Sequence, residues 1–121
     1  MTDLDDLLSI SEEDQKLITL AKAARARIGA LEGAAVRDTT GRSFTGATVP
    51  LTTVSLSAVD LAVASAYASG ADGLEAAALI SAEGAIDQKS MDVISEMGNG
   101  RVRTYVCDES GEVMAVLAGE N

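Results

Sequence analysis

The sequence predicts an α/β fold, a three-layer sandwich in which a mixed five-stranded sheet has helices on its faces. Segments with helical spacing of apolar residues alternate with short β-type runs, in the order α-β-β-α-β-α-β-β. Elements that alternate in this way pack as layers around one core. The chain has 121 residues, which is the length of a single domain. We therefore expect one domain over residues 11–121, preceded by an acidic extension of residues 1–10.

The first helix is predicted to begin after Ser11, which has the spacing of a capping box with Asp14. Its apolar residues recur at intervals of three and four, and Gly29 is typical of a helix end. Residues 33–37 and 43–49 then have the composition of strands. The turn-forming residues between them predict a β-hairpin.

The second helix begins after another capping-box pair, Ser57 and Asp60. Residues 61–68 carry no charge, and a helix that is small or apolar on every side is expected to be buried on most of its faces. Residues 74–80 form a short apolar run that favours an interior strand.

A third helix is predicted with Asp87 as its N-cap. Met91 and Met97 lie at helical spacing beside other apolar residues, and we interpret both as core residues. Residues 102–107 and 113–118 are predicted to be the last two strands, joined by a tight turn.

Composition excludes several classes of function. The chain has 9 basic against 19 acidic residues, a formal net charge of -10, so no nucleic acid polymer and no anionic membrane surface is expected as a partner. It has no His and a single Cys, which excludes Ser/His/Asp and Cys/His triads. One Cys cannot form an internal disulfide, and there is no signal-peptide pattern or long apolar run. We therefore expect a cytoplasmic protein.

Several strings of residues, in their order and spacing, resemble the small cytidine deaminases of the zinc-dependent nucleoside deaminase superfamily. The resemblance covers roughly residues 10–117. The strings are Gly33-Ala34-Ala35-Val36, Phe44-Thr45-Gly46-Ala47-Thr48-Val49, Leu56-Ser57, Ala68-Ser69-Gly70 and Val93-Ile94-Ser95-Glu96-Met97-Gly98.

The resemblance implies a zinc ion held by one His or Cys and by the two Cys of a Pro-Cys-x-x-Cys turn. It also implies a Glu, two positions after the first ligand, that moves the proton. When the family's pattern is aligned with this sequence without a gap in the metal-binding helix, the first ligand falls on Val59 and the Glu on Leu61. The two thiolates fall on Asp87 and Ser90. A gapped alternative puts the first ligand on Ser57 and the Glu on Val59, and it fails equally. None of these residues is a zinc ligand of that kind.

This loss does not depend on the alignment. With no His and only Cys107, one chain cannot supply three soft ligands in any register, so we expect no metal and no cofactor of this kind. The resemblance also implies an Asn and a Glu that bind ribose, and these fall on Thr48 and Pro50. No catalytic residue is predicted.

We call the place where the family's site would lie the vestigial pocket, and we expect it to be filled by its own side chains. Asp60, Asp87 and Ser90 admit a second interpretation as a hard-oxygen site for Mg²⁺ or Ca²⁺, although helix capping explains them more simply. Cys107 is open to interpretation as a reactive thiol, but it has no His to activate it. The pocket residues are Thr48, Pro50, Val59, Asp60, Leu61, Asp87 and Ser90.

The leading hypothesis is a zinc-free protein of the deaminase fold without cytidine deaminase activity, a homo-oligomeric binding or regulatory module. A dimer or tetramer is expected, because the uncharged second helix has more than one face to bury. One alternative is a hydrolase of the deaminase type that acts on cytidine, a related nucleoside or a similar small molecule and uses Asp60 and Asp87 as carboxylates or as ligands of a hard metal. Another is an interaction protein whose acidic extension docks on a basic protein partner. Leu4, Leu7 and Leu8 admit docking on a partner or on the body of the protein, although a frayed helical extension is the simpler interpretation.

Overall fold

The computed structural model describes residues 9–117, so residues 1–8 of the predicted extension and residues 118–121 lie outside it. The described chain contains three helices and a five-stranded sheet in the predicted order. The elements are α1 (Glu12–Ile28), β1 (Glu32–Asp38), β2 (Ser43–Ala47), β3 (Val49–Pro50), β4 (Ser55–Leu56), α2 (Ala58–Ala68), β5 (Leu74–Ser81), α3 (Gln88–Gly98), β6 (Arg103–Cys107) and β7 (Val113–Leu117).

The main sheet has the strand order β2-β1-β5-β6-β7. β5 and β6 are parallel, since α3 connects them as a crossover, and the other neighbours are antiparallel. The prediction of a mixed sheet is therefore confirmed. Within residues 9–117, β3 and β4 pair only with each other, and the sequence did not predict this short hairpin.

The sheet has a helix layer on each face, which confirms the three-layer prediction. Alternate residues of β1 point to opposite faces: Ala35 contacts the core under α1, whereas Ala34 and Val36 contact the core under α2 and α3. β5 divides in the same way, with Ile80 under α1 and Leu79 on the other face. The central strands are thus buried on both sides.

All three predicted N-caps are present. The side chain of Ser11 accepts a hydrogen bond from the Asp14 N–H at 3.2 Å, and Ser57 accepts one from the Asp60 N–H at 2.9 Å. Asp87 accepts one from the Ser90 N–H at 2.8 Å. These bonds satisfy backbone donors that have no partner within the helix itself.

The predicted capping boxes are wrong in their second half, because the two acidic side chains bind elsewhere. The Asp14 carboxylate accepts hydrogen bonds from the Tyr105 hydroxyl and from Arg37 Nη2, the latter at 2.8 Å. The Asp60 carboxylate pairs instead with Lys89 at 3.2 Å. Both carboxylates therefore connect different elements of the fold.

Two expectations about burial differ from the structure. The prediction that Met91 is a core residue is wrong: its side chain is 37% exposed, because the buried stripe of α3 runs through Ser90, Ile94 and Gly98. Met97 does pack, half-buried, against the core. Within the single chain, α2 buries one face rather than most faces, and Ala64, Tyr67 and Ala68 are exposed.

Helix α2 lies directly on the backbone of β2 at Gly46. A Cβ added at Gly46 would overlap the carbonyl oxygen of Ala58 and would lie 2.6 Å from the backbone nitrogen of Ala62. Backbone atoms cannot move aside as a flexible side chain can. Only glycine fits at this position.

We expect Gly46→Ala to lower the free energy of unfolding by roughly 1–3 kcal/mol, the usual cost of overpacking a core. Urea unfolding followed by circular dichroism would measure it. Gly73→Ala is the matched control, because its new Cβ would lie 3.6 Å from the nearest atom. Equal effects of the two substitutions would contradict this account.

Candidate functional site

The N-termini of α2 and α3 lie next to each other on one face of the sheet. The two helices pack side by side, and an ion pair joins their first turns, with Lys89 Nζ 3.2 Å from Asp60 Oδ2. Each of these helices carries one of the predicted caps, Ser57 and Asp87. The resemblance predicted the vestigial pocket at this place.

The helix residues of the vestigial pocket serve the fold. Val59 is only 2% exposed and belongs to the core between α2 and the sheet. Leu61 is half-buried one turn into the same helix, and Ser90 is buried in α3. An alkyl side chain at either position of α2 can neither ligate a metal nor transfer a proton.

Asp87 is held by its own helix. The backbone N–H of Ser90 donates to its carboxylate, and the hydrogen bonds from the backbone and side chain of Ser90 lower the pKa of Asp87. Burial opposes this shift, and the nearby positive charge of Lys89 adds to it. The side chain is therefore a charged N-cap that already has hydrogen-bond donors.

The two residues at the expected ribose positions do not come together as a binding pair. Thr48 Oγ1 accepts a hydrogen bond from the Glu32 N–H at 3.0 Å, which joins the end of β2 to the start of β1. Pro50 is exposed in β3, where it pairs with Ser55. Proline also offers no side-chain hydrogen-bonding group.

A cavity of about 340 Å³ opens beside this place. Of the predicted pocket residues only Thr48 lines it, and Ser57, Glu32, Glu83 and Arg25 line it as well. Burial, followed by the negative charges of Asp87 and Glu83, raises the pKa of Glu32. The sequence pointed to the hydroxyl residues Thr48 and Ser57 but not to the two glutamates, because Glu32 and Glu83 come together only through the pairing of β1 with β5.

The donors at this place do not fit a zinc ion held by three nitrogen or sulfur ligands. The nearby polar side chains are a hydroxyl on Ser90 and two carboxylates, Asp60 and Asp87, each of which already has a hydrogen-bond or ion-pair partner. Within residues 9–117, no three His, Cys, Asp or Glu side chains are grouped so that they could hold a metal ion.

Cys107 lies on the other side of the sheet. It is fully buried at the end of β6, in the core under α1 with Ile80 and Tyr105. Burial, with a smaller contribution from the charge of Asp108, raises the pKa of the thiol to about 11. The thiol is therefore protonated near neutral pH and is remote from the face that carries α2 and α3.

Comparison with known proteins identifies the family. The family model described as cytidine deaminase-like matches residues 10–111. The crystal structure of cytidine deaminase from Burkholderia pseudomallei is similar with a TM-score of 0.74 and 23% identity, over 90% of this chain and 93% of that chain. Cytidine deaminase from Mycobacterium tuberculosis is similar with a TM-score of 0.64 and 25% identity, over 74% and 80% of the two chains. No curated protein matches the chain significantly.

The chain therefore belongs to the cytidine deaminase-like family. This confirms both the resemblance and the fold inferred from the sequence. Separately, none of the helices formed by the described residues has the length and apolar character needed to span a membrane.

We expect Cys107 to resist thiol reagents in the folded protein. At pH 8 a thiol with a pKa of about 11 has about two orders of magnitude less thiolate than a free cysteine, and only the thiolate reacts. Burial favours the neutral thiol in the folded state. This contribution to stability is present below pH 9.0 and is lost as the pH rises towards 11.

Labelling with a maleimide, read by mass spectrometry, checks this expectation. The native protein should stay unlabelled while protein unfolded in urea is modified at one site per chain. Rapid labelling of the native protein at pH 8 would show that the thiol is accessible and would contradict the burial described above.

Proposed function

We propose that this chain is a zinc-free member of its family that lacks cytidine deaminase activity and acts as a homo-oligomeric binding or regulatory module in the cytoplasm. One observation carries the proposal. The chain has no His, and its one Cys is buried on the face of the sheet opposite to the helix pair α2 and α3. No thiolate or imidazole is available at the place where the resemblance to the family implies a zinc ion.

The chemistry of zinc deaminases supports this proposal. A zinc-bound water attacks the base, and a Glu transfers the proton. The position expected for the first ligand is Val59 in the core, and the position expected for the Glu is Leu61. Both the activation of water and the proton transfer therefore lack a suitable group.

The state of the polar residues favours this proposal over the alternative hydrolase. That alternative needs Asp60 and Asp87 as free carboxylates or as ligands of a hard metal. Asp60 instead pairs with Lys89 at 3.2 Å, and Asp87 caps α3 at 2.8 Å. Docking of a protein partner on the acidic extension stays a prediction, because residues 1–8 lie outside the described chain.

We expect the purified protein to hold no stoichiometric zinc and to convert no cytidine to uridine, because the donor set is missing. Elemental analysis and a chromatographic assay for uridine measure the two quantities. Calorimetry should also detect no binding of cytidine or uridine at millimolar concentration. One zinc per chain, together with turnover that persists after repurification, would overturn the proposal.

A four-site variant tests whether the missing ligands are the whole difference. It combines Val59→Cys, Leu61→Glu, Asp87→Cys and Ser90→Cys. We expect it to stay inactive even when it takes up zinc, because Thr48 and Pro50 provide no ribose-binding pair. Activity in this variant would show that the substrate site had survived the loss of the metal.

The outer face of α2 supports an oligomer. The exposed residues Ala64 and Ala68 lie about 40° apart around the helix axis, and this outer flank of α2 is uncharged. A continuous uncharged flank on a surface with so many charges elsewhere is typical of a contact between subunits.

We expect light scattering to give a dimer or tetramer at micromolar concentration. Ala68→Arg should shift the protein towards monomer, because it places a bulky charge in the contact. Ala26→Arg is the control, since Ala26 is an exposed alanine in the last turn of α1 on the other face of the sheet. A monomeric wild-type chain would contradict this part of the proposal.

A further inference from the structure

A groove of about 420 Å³ lies between α2 and α3, on the same face of the sheet as the vestigial pocket but towards the helix C-termini. Its floor is apolar: Val63 is buried, and Val93 and Met97 are half-buried against the core. Tyr67 stands at its edge with 74% of its surface exposed. This volume is suited to a small ligand rather than to a single ion.

The rim of the groove is negative. Asp72 and Glu96 line it, and none of the residues that line it is basic. Both helices also end here, and the C-terminal end of a helix carries partial negative charge. Neither α2 nor α3 has a basic residue in its last turn, whereas α1 has Arg25 and Arg27.

One basic side chain does approach the end of α2. Arg42 Nη1 donates to the Ser69 carbonyl at 3.2 Å. The same guanidinium is paired with Asp38 through a 2.8 Å contact, and the hydrogen bonds to Asp38 outweigh its burial and lower the pKa of that carboxyl to about 2. The positive charge of Arg42 is therefore already balanced by Asp38, and the groove keeps its negative rim.

We propose that this groove binds a small organic cation, with an apolar body on Val63, Val93 and Met97 and an ammonium or guanidinium group facing Asp72 and Glu96. The exposed ring of Tyr67 adds a cation–π surface for the same charge. The inference does not rest on the proposed loss of deaminase activity.

The groove borders the subunit contact proposed above, because Ala64 lines the groove and lies about 40° from Ala68 around the α2 axis. Tyr67 lies about 100° around the α2 axis from Ala68, on the flank that faces α3. Binding is therefore measured both on the wild-type protein and on Ala68→Arg, in which the subunit contact is weakened.

Three probes of similar size separate charge from apolar contact: phenethylammonium, 2-phenylethanol and 3-phenylpropionate. Backbone NMR shifts at millimolar probe concentration report where each of them binds. We expect the ammonium probe to shift signals of α2 and α3 around the groove, the alcohol to bind more weakly, and the carboxylate not to bind. Added salt should weaken the ammonium complex, because the attraction is electrostatic.

Substitutions in the groove should follow the same pattern. Asp72→Asn and Glu96→Gln should each weaken binding of the ammonium probe by about two- to fivefold, as for exposed ion pairs. Tyr67→Leu keeps the apolar contact, so it should weaken the ammonium probe but leave the alcohol nearly unchanged. Glu13→Gln, an exposed carboxylate of α1 on the other face of the sheet, is the matched control.

The proposal is overturned if the alcohol binds as tightly as the ammonium probe, or if Asp72→Asn and Glu96→Gln have no more effect than Glu13→Gln. The absence of any shift around the groove at millimolar ammonium overturns it as well. These outcomes are independent of zinc content and of cytidine turnover, so failure here is distinguishable from failure of the proposed function.

Discussion

The fold depends on direct contact between helix backbone and strand backbone at two glycines. Gly33 in β1 leaves room for the Ala21 carbonyl of α1, and Gly46 in β2 leaves room for the Ala58 carbonyl of α2. A methyl group at either position would overlap the helix backbone. This closeness fixes how far each helix can lie from the sheet, and the small residues of β1 and β5 then fill the narrow core.

The two ends of the α2 and α3 pair differ in how their acidic residues are used. At the N-terminal end, the acids are used within the chain: Asp60 pairs with Lys89, and Asp87 caps its own helix. At the C-terminal end, Asp72 and Glu96 line an open groove. At the N-terminal end the two helix acids are therefore paired within the chain, beside the cavity lined by Glu32 and Glu83, whereas the C-terminal end has acids and apolar surface available to a ligand.

The opposite face is held by a different kind of contact. The Asp14 carboxylate of α1 accepts hydrogen bonds from Arg37 of β1 and from Tyr105 of β6, and so joins one helix to two strands. Burial, together with the hydrogen bond to Asp14, raises the pKa of Tyr105, although Arg103 opposes that shift. The one thiol of the chain lies in the same core, which separates it from α2 and α3 by the full thickness of the sheet.

The sequence by itself determined the features that depend on neighbouring residues: the caps at Ser11, Ser57 and Asp87, the hairpin turn before Arg42, and the strings that identify the family. It also determined that no set of three Cys or His ligands exists, since this is a matter of counting residues. Only the tertiary structure decided the partners of the Asp14 and Asp60 carboxylates, the exposure of Met91, and the cavity beside Glu32. These features join residues that are far apart in the chain, and which partner a side chain meets is set by strand register and helix packing rather than by local spacing.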